Sequence, residues 1–402
     1  MQISERVQRI EASQSLAMAA RARAMKAAGI DVISMSLGEP DRNTPEHIRC
    51  AAQEAIDKGW THYGPVAGVA SLREAIAHWQ NQSINPPLSE AQHSIIYDST
   101  DVIVSVGAKM AIYNAIQTVI NPGDEVIIPM PSWVSYTEMV KVAGGKVVAV
   151  QTRYENRYCL TAEELRRALT EKTRMLILCS PNNPTGSVYS HEELKAIVEV
   201  LRDYPQVAVL CDEIYNSLEF RDESLEDAPC TMAAFTELQD RSIIVNGVSK
   251  AYAMTGWRIG WLMSKNKAFI EACTRLQGQQ ITCATMVAQK AAEAALTGSQ
   301  ECVAQMRQVF AERRELICRL ATEIPGWKFE KPQGAFYLFP DVSAIGGGDR
   351  VAEYLLEEAH VAVVSGSAFG CPECIRLSYA ISTEEIIEAM RRIKLASERM
   401  KE

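Results

Sequence analysis

Ser242-Ile243-Ile244-Val245-Asn246-Gly247-Val248-Ser249-Lys250-Ala251-Tyr252-Ala253-Met254-Thr255-Gly256-Trp257-Arg258-Ile259-Gly260 opens on an apolar, β-branched run and closes on a basic turn. The run 243–245 reads as a buried strand. A small-residue turn comes next, then Lys250 and, further on, Arg258. Apolar neighbours flank Lys250, and partial loss of water favours its neutral, nucleophilic amine. In water a lysine titrates near ~10.4 and is a poor nucleophile at neutral pH. Lysines escape that handicap by condensing with aldehyde cofactors. Arg258 would hold a fixed anion nearby, and a phosphate suits its forked guanidinium. Taken alone, the stretch also reads as a solvated loop with two charges.

Outward from this stretch, strands and helices alternate. Apolar runs predict strands over 101–106, 125–129, 146–151, 175–179, 207–211 and 243–245. Periodic segments predict helices over 135–143, 162–169 and 192–203. That rhythm predicts an α/β fold with a largely parallel, buried sheet and helices on both faces. In such sheets ligands sit at the carboxyl ends of the strands. The residues with chemistry to offer come just after strands: Gly107-Ala108-Lys109, Pro181-Asn182-Asn183-Pro184, Asp212 with Tyr215, and Lys250. At the first of these a glycine opens a helix, where backbone N–H groups can cradle a phosphate.

The two ends read differently. Residues 15–28 form a helix closing on Gly29, and 31–37 a short strand leading into the turn Gly38-Glu39-Pro40-Asp41. Thr44-Pro45-Glu46 starts a helix with Pro45 at its first position, and 71–79 is a further helix. Residues 81–98 are polar and broken by prolines. A long charged helix over 301–324 leads to strands over 327–340 and 361–364 and a last helix over 384–402. Gly346-Gly347-Gly348 reads as a flexible loop.

The chain has 402 residues, 47% hydrophobic and 23% charged, with a net charge of −9. That length holds two domains with sizeable cores, and there is no basic footprint for nucleic acid. No apolar run reaches the length of a membrane span, and the start carries no signal-like apolar core. Most of the eleven cysteines lie in apolar runs, which favours a reducing compartment, the cytoplasm, over a disulfide framework. Cys371-Pro372-Glu373-Cys374 is the one C-x-x-C pair; without a second pair it reads as a loop with free thiols rather than a metal or redox site. No metal site is expected.

The lysine stretch resembles the lysine loop of fold-type I pyridoxal-phosphate aminotransferases of class I/II, with their pattern S-K-x-x-x-x-x-G-x-R. The family's other motifs appear in order over nearly the whole chain. The resemblance implies a mostly parallel central sheet and a smaller α+β domain made from both termini. The expected divisions are 1–46 (N-terminal part of the small domain), 47–300 (large cofactor-binding domain) and 301–402 (C-terminal small domain). It implies pyridoxal 5'-phosphate on Lys250, the catalytic base. Asp212 would meet the ring nitrogen and Tyr215 the ring hydroxyl. Asn183, in Ser180-Pro181-Asn182-Asn183-Pro184-Thr185-Gly186, would reach the ring oxygen, and Trp133 would stack on the ring. The N–H groups of Ala108 and Lys109, with Arg258, would hold the phosphate. Tyr63 would reach the phosphate of a neighbouring subunit, which implies a homodimer with shared sites. Many members carry serine three residues before the lysine; Gly247 stands there, leaving Ser249 as the nearby hydroxyl.

For the substrate, the resemblance puts the α-carboxylate on Arg376, within Cys374-Ile375-Arg376-Leu377-Ser378-Tyr379-Ala380, beside the backbone of Gly38. Trp133 and Asn183 would also border the substrate. Lys109 resembles the lysine with which one aspartate aminotransferase subgroup meets the distal carboxylate, and Ser13 and Ser15 match its assisting hydroxyls. Aspartate and 2-oxoglutarate are the implied pair, exchanging the amino group in ping-pong fashion, and prephenate stays open as an acceptor. A carbon–sulfur or aminocyclopropane-carboxylate synthase-like lyase of the same fold would use the same lysine and aspartate. A ligand-sensing regulator of this fold would need a basic DNA-binding extension, which is missing here. A generic nucleotide-binding protein would need a G-x-G-x-x-G or P-loop pattern, also missing.

Overall fold

The computed structural model describes residues 1–84, 95–220 and 230–401. Twelve strands occur among them: β1 Ile33–Ser34, β2 Val102–Val106, β3 Glu125–Met130, β4 Lys146–Gln151, β5 Thr173–Cys179, β6 Ala208–Asp212, β7 Ser242–Gly247, β8 Ile259–Met263, β9 Tyr337–Leu338, β10 Val361–Ala362, β11 Val364–Ser365 and β12 Ile375–Ser378. Seven of them form one sheet in the order β2-β8-β7-β6-β5-β3-β4. The pairs from β4 through β7 are parallel, while β8 runs antiparallel to both of its neighbours.

Except at the edge strand β4, both faces of this sheet are buried, which explains its near-continuous apolar strands. Alternate side chains go to opposite cores. Met175, Ile177, Ile243 and Val245 enter the cluster on one face; Leu176, Leu178 and Ile244 enter the cluster on the other. A third cluster joins Ile33 and Met35 to helix Glu301–Ala321 and the C-terminal strands. β1 pairs with β10 in parallel, which ties the first segment of the chain to the last quarter.

Several expectations shift. β6 ends on Asp212 itself, not on Cys211. Pro45 is the cap before helix Glu46–Asp57 rather than its first residue. Only two residues of 31–37 pair as strand, because their one partner, β10, is equally short. The run 327–340 contributes only β9, and 361–364 splits between two different sheets. Gly348 is not loop but the first residue of helix Gly348–Glu358, and any Cβ there would collide with the Cys374 carbonyl. Strand β8 and helices Lys267–Gln280 and Met286–Thr297 were not foreseen from pattern. Residues 85–94, within the irregular segment 81–98, and residue 402 of the last helix lie outside the described residues. Among the described residues no helix is long and apolar enough to cross a membrane.

Candidate active site

A cavity of about 270 Å³ opens where the parallel strands end. Asp212 closes β6, Cys179 closes β5, and Lys250 comes after β7 by a short turn. Because β8 is antiparallel, it begins at this same edge: Ile259 lies opposite Val106, and Gly260 opposite Gly247. Arg258, immediately before β8, is thereby delivered beside Gly107. The close fit needs glycine twice. A Cβ on Gly107, whose φ is +77°, would collide with the Arg258 guanidinium, and a Cβ on Gly260 would collide with the Ala108 nitrogen.

Ser13, Ser15, Gly38, Ala108, Lys109, Trp133, Asn183, Asp212, Tyr215, Ser249, Lys250, Arg258 and Arg376 all line this one cavity. Tyr63 does not; its side chain is 90% exposed. Ser13 also caps helix Gln14–Ala27, its hydroxyl accepting from the Leu16 N–H.

The Lys250 amine donates to the Gly38 carbonyl at 2.5 Å. Burial lowers its pKa to about 8; Arg258 and Arg376 add repulsion, while Glu39 and Asp212 oppose the shift. Asp212 is buried, and burial raises its carboxyl to about 6 despite three stabilising partners. The Tyr136 hydroxyl donates to Oδ2 at 2.7 Å and the Ile214 N–H to Oδ1 at 3.2 Å; Lys250 supplies the third, a charge. Lys109 stands over the Trp133 ring, 4.7 Å from its centroid. Burial first, then Arg258, lower its pKa.

Arg376, in the buried strand β12, lies between two rings, 4.5 Å from the Tyr337 centroid and 4.9 Å from that of Phe369. One terminal nitrogen donates to Asn183 Oδ1 at 2.9 Å and the other to the Ser36 carbonyl at 2.7 Å. Its buried Nε has no partner among the described residues. Tyr215 and Tyr337 share a hydroxyl–hydroxyl bond of 2.7 Å. Thus the cavity combines an amine of lowered pKa, a buried carboxylate, the start of helix Gly107–Val119 and three further cations, Lys109, Arg258 and Arg376.

The family described as aminotransferase class I and II matches residues 30–393. The chain belongs to that family. An aspartate aminotransferase from Bacillus sp. strain YM-2 is 42% identical over 97% of this chain and 98% of its own. An aspartate/prephenate aminotransferase from Nitrosomonas europaea is 40% identical over 98% of this chain and 99% of its own. The solved aspartate aminotransferase from Thermus thermophilus with maleate superposes with a TM-score of 0.90 at 38% identity, covering 98% of this chain and 100% of that one.

Tyr136, Tyr337, Ser36 and Phe369 are the aminotransferase's residues that sequence reasoning passed over. Tyr136 lies only three residues after Trp133, yet nothing local marks its hydroxyl for Asp212. Tyr337 sits in the apolar run Ala335-Phe336-Tyr337-Leu338-Phe339, where it reads as core.

Proposed function

We propose that this aminotransferase moves the amino group of L-aspartate to 2-oxoglutarate, with pyridoxal 5'-phosphate as cofactor. The observation that carries the reading is a pair of cations facing one cavity with Lys250: Arg376, fixed between two rings, and Lys109, held over Trp133. A dicarboxylic amino acid offers one carboxylate to each. Lys109, exposed and repelled by Arg258, has no counter-ion among the described residues, and a side-chain carboxylate would supply one.

The donor set fits pyridoxal phosphate. A buried carboxylate suits a ring nitrogen, the helix start at Ala108 and Lys109 beside Arg258 suits a phosphate, and an amine of lowered pKa suits an aldehyde. Asp212 would hold the proton of the ring nitrogen. Asn183 Oδ1 is taken by Arg376, which leaves its amide N–H groups, with Tyr215, for the ring oxygen. Trp133 would cover the ring face. The N–H groups of Ala108 and Lys109, the Ser249 hydroxyl and Arg258 would hold the phosphate, joined by Tyr63 of a second copy in a homodimer. When bound, the cofactor supplies an aldehyde carbon for amine exchange and a ring that takes up the electron pair of the α-carbon.

Arg376 orients the α-carboxylate, with Gly38 beside it, and Lys109 with Ser13 and Ser15 meets the distal one. The Nζ of Lys250 would take the α-proton and return it two atoms away, a 1,3 shift carried by a single general base. None of the eleven cysteines forms a disulfide, which supports a reducing, cytoplasmic setting. The name of the Nitrosomonas europaea relative supports prephenate as a second acceptor, since it too presents two carboxylates.

Amino donors assayed with 2-oxoglutarate, alongside release of ammonia and pyruvate, test the reading. Aspartate should lead, and net ammonia release in place of amino transfer would make the enzyme a lyase. Lys250→Ala should lose both transamination and the near-visible absorbance of the holoenzyme.

A further inference from the structure

Cys371 and Cys374 do not line the cavity, yet they face each other with sulfurs 3.4 Å apart. Residues 371–374 form a turn in which the Cys374 N–H donates to the Cys371 carbonyl at 3.1 Å. Such a turn holds its outer Cα atoms within about 7 Å, close to the span a disulfide bridges. The surrounding backbone fixes it. The Gly366 N–H donates to the Cys374 carbonyl at 2.7 Å, Gly348 to Pro372 at 2.7 Å and Val342 to Glu373 at 2.8 Å. A Cβ on Gly366 or Gly348 would collide with a carbonyl of this turn.

Cys371 is half-buried at the surface, whereas Cys374 is buried with Phe339 and Phe369 and lies 3.6 Å from the Tyr158 hydroxyl. Arg376 comes two residues later, under the Phe369 ring.

We propose that Cys371 and Cys374 are a reversible dithiol–disulfide pair, closed by low-molecular-weight disulfides, and that closure retunes the Arg376 subsite. The Cys371 thiolate attacks one sulfur of oxidised glutathione, and one glutathione leaves as its thiolate. Cys374, deprotonated in turn, attacks the Cys371 sulfur and expels the second glutathione. Two protein S–H bonds become one S–S bond, one small disulfide becomes two thiols, and these take up the two protons. The sulfurs reach a bond length of about 2.05 Å by side-chain rotation, without breaking the turn. Cys374 thereby withdraws from Tyr158 and from the ring that covers Arg376. The bond to Cys374, then burial and the neighbouring Glu373 carboxylate, raise the Cys371 pKa, so exchange is slow and needs excess oxidant.

The test treats the holoenzyme with excess oxidised glutathione, alkylates remaining thiols, and maps peptides by mass. The expected product is a 371–374 disulfide, reversed by dithiothreitol. It should raise KM for the amino donor several-fold with little change in kcat, and Cys371→Ser should abolish that response. Recovery of two alkylated thiols, or of glutathione retained on Cys371, overturns the pair. An unchanged KM in fully oxidised enzyme overturns the link to Arg376. That link rests on the proposed amino-transfer reading; the peptide map does not, so the two can fail separately.

Discussion

Asp212 shows how single residues carry opposing demands. Its carboxylate is paired, yet burial still raises its pKa to about 6. The folded protein therefore binds this proton more tightly than the unfolded chain, where a carboxyl titrates near ~3.9. The contribution to stability is intact below about pH 3.9 and is lost as pH rises through about 6. Asp212→Asn should consequently stabilise the cofactor-free protein, and its advantage should grow by about 1 kcal/mol between about pH 5 and about pH 7.5. Thermal unfolding at the two pH values measures this, and an advantage that shrinks with pH would refute it. The same variant should transaminate poorly, since it loses the charge facing the ring nitrogen. Tyr136→Phe removes the 2.7 Å bond to Oδ2 and should push the Asp212 pKa up further. The pH range over which the cofactor-free protein loses stability should then move upward in thermal unfolding, and no movement would mean the bond does not hold Asp212 down. Lys109→Ala should raise KM for aspartate by about tenfold to a hundredfold, the range for a charge-assisted bond, and leave KM for an apolar amino acid nearly unchanged. Equal losses would assign Lys109 to the phosphate alone.

At the scale of elements, strand β8 is the piece that assembles the anion cradle. Its antiparallel run between β2 and β7 starts at the ligand edge of the sheet and sets Gly260 against Ala108. Gly260→Ala forces backbone against backbone and should cost about 1–3 kcal/mol, with weaker retention of the cofactor. Gly256 offers the control: a Cβ there meets nothing within 4 Å. Gly256→Ala should stay within about 0.5 kcal/mol of wild type in chemical denaturation. Similar losses in both variants would mean that the close approach at Gly260 is not special.

At the scale of the whole molecule, the site gathers residues from across the chain. Ser13 and Gly38 precede the large sheet, Lys250 comes after its strand β7, and Arg376 belongs to a strand near the end. β1 on β10, and the core shared by Ile33, Met35 and helix Glu301–Ala321, hold the two ends of the chain together. Tyr63, almost fully exposed, completes no contact with this cavity in its own chain. A dimer that brings Tyr63 to a second copy's phosphate should sediment at twice the chain mass, and Tyr63→Phe should weaken cofactor binding. A fully active monomer would contradict the shared site.

Short-range pattern was enough for much of this. Alternating apolar runs and helices predicted a buried, mostly parallel sheet, because burial on both faces leaves a trace in every strand. The motif residues after Val106, Cys179 and Val245 pointed to one edge because parallel strands share a polarity, so their carboxyl ends come together. The three-dimensional arrangement was needed where partners are distant. Nothing near Ile259 says that β8 must run backwards, since direction is set by strands more than ten residues away. Nothing near Tyr136 or Tyr337 says that one hydroxyl meets Asp212 and that one ring bears on Arg376. Those contacts arise only when separately folded segments dock, and docking depends on the summed shape of all of them rather than on any local signal.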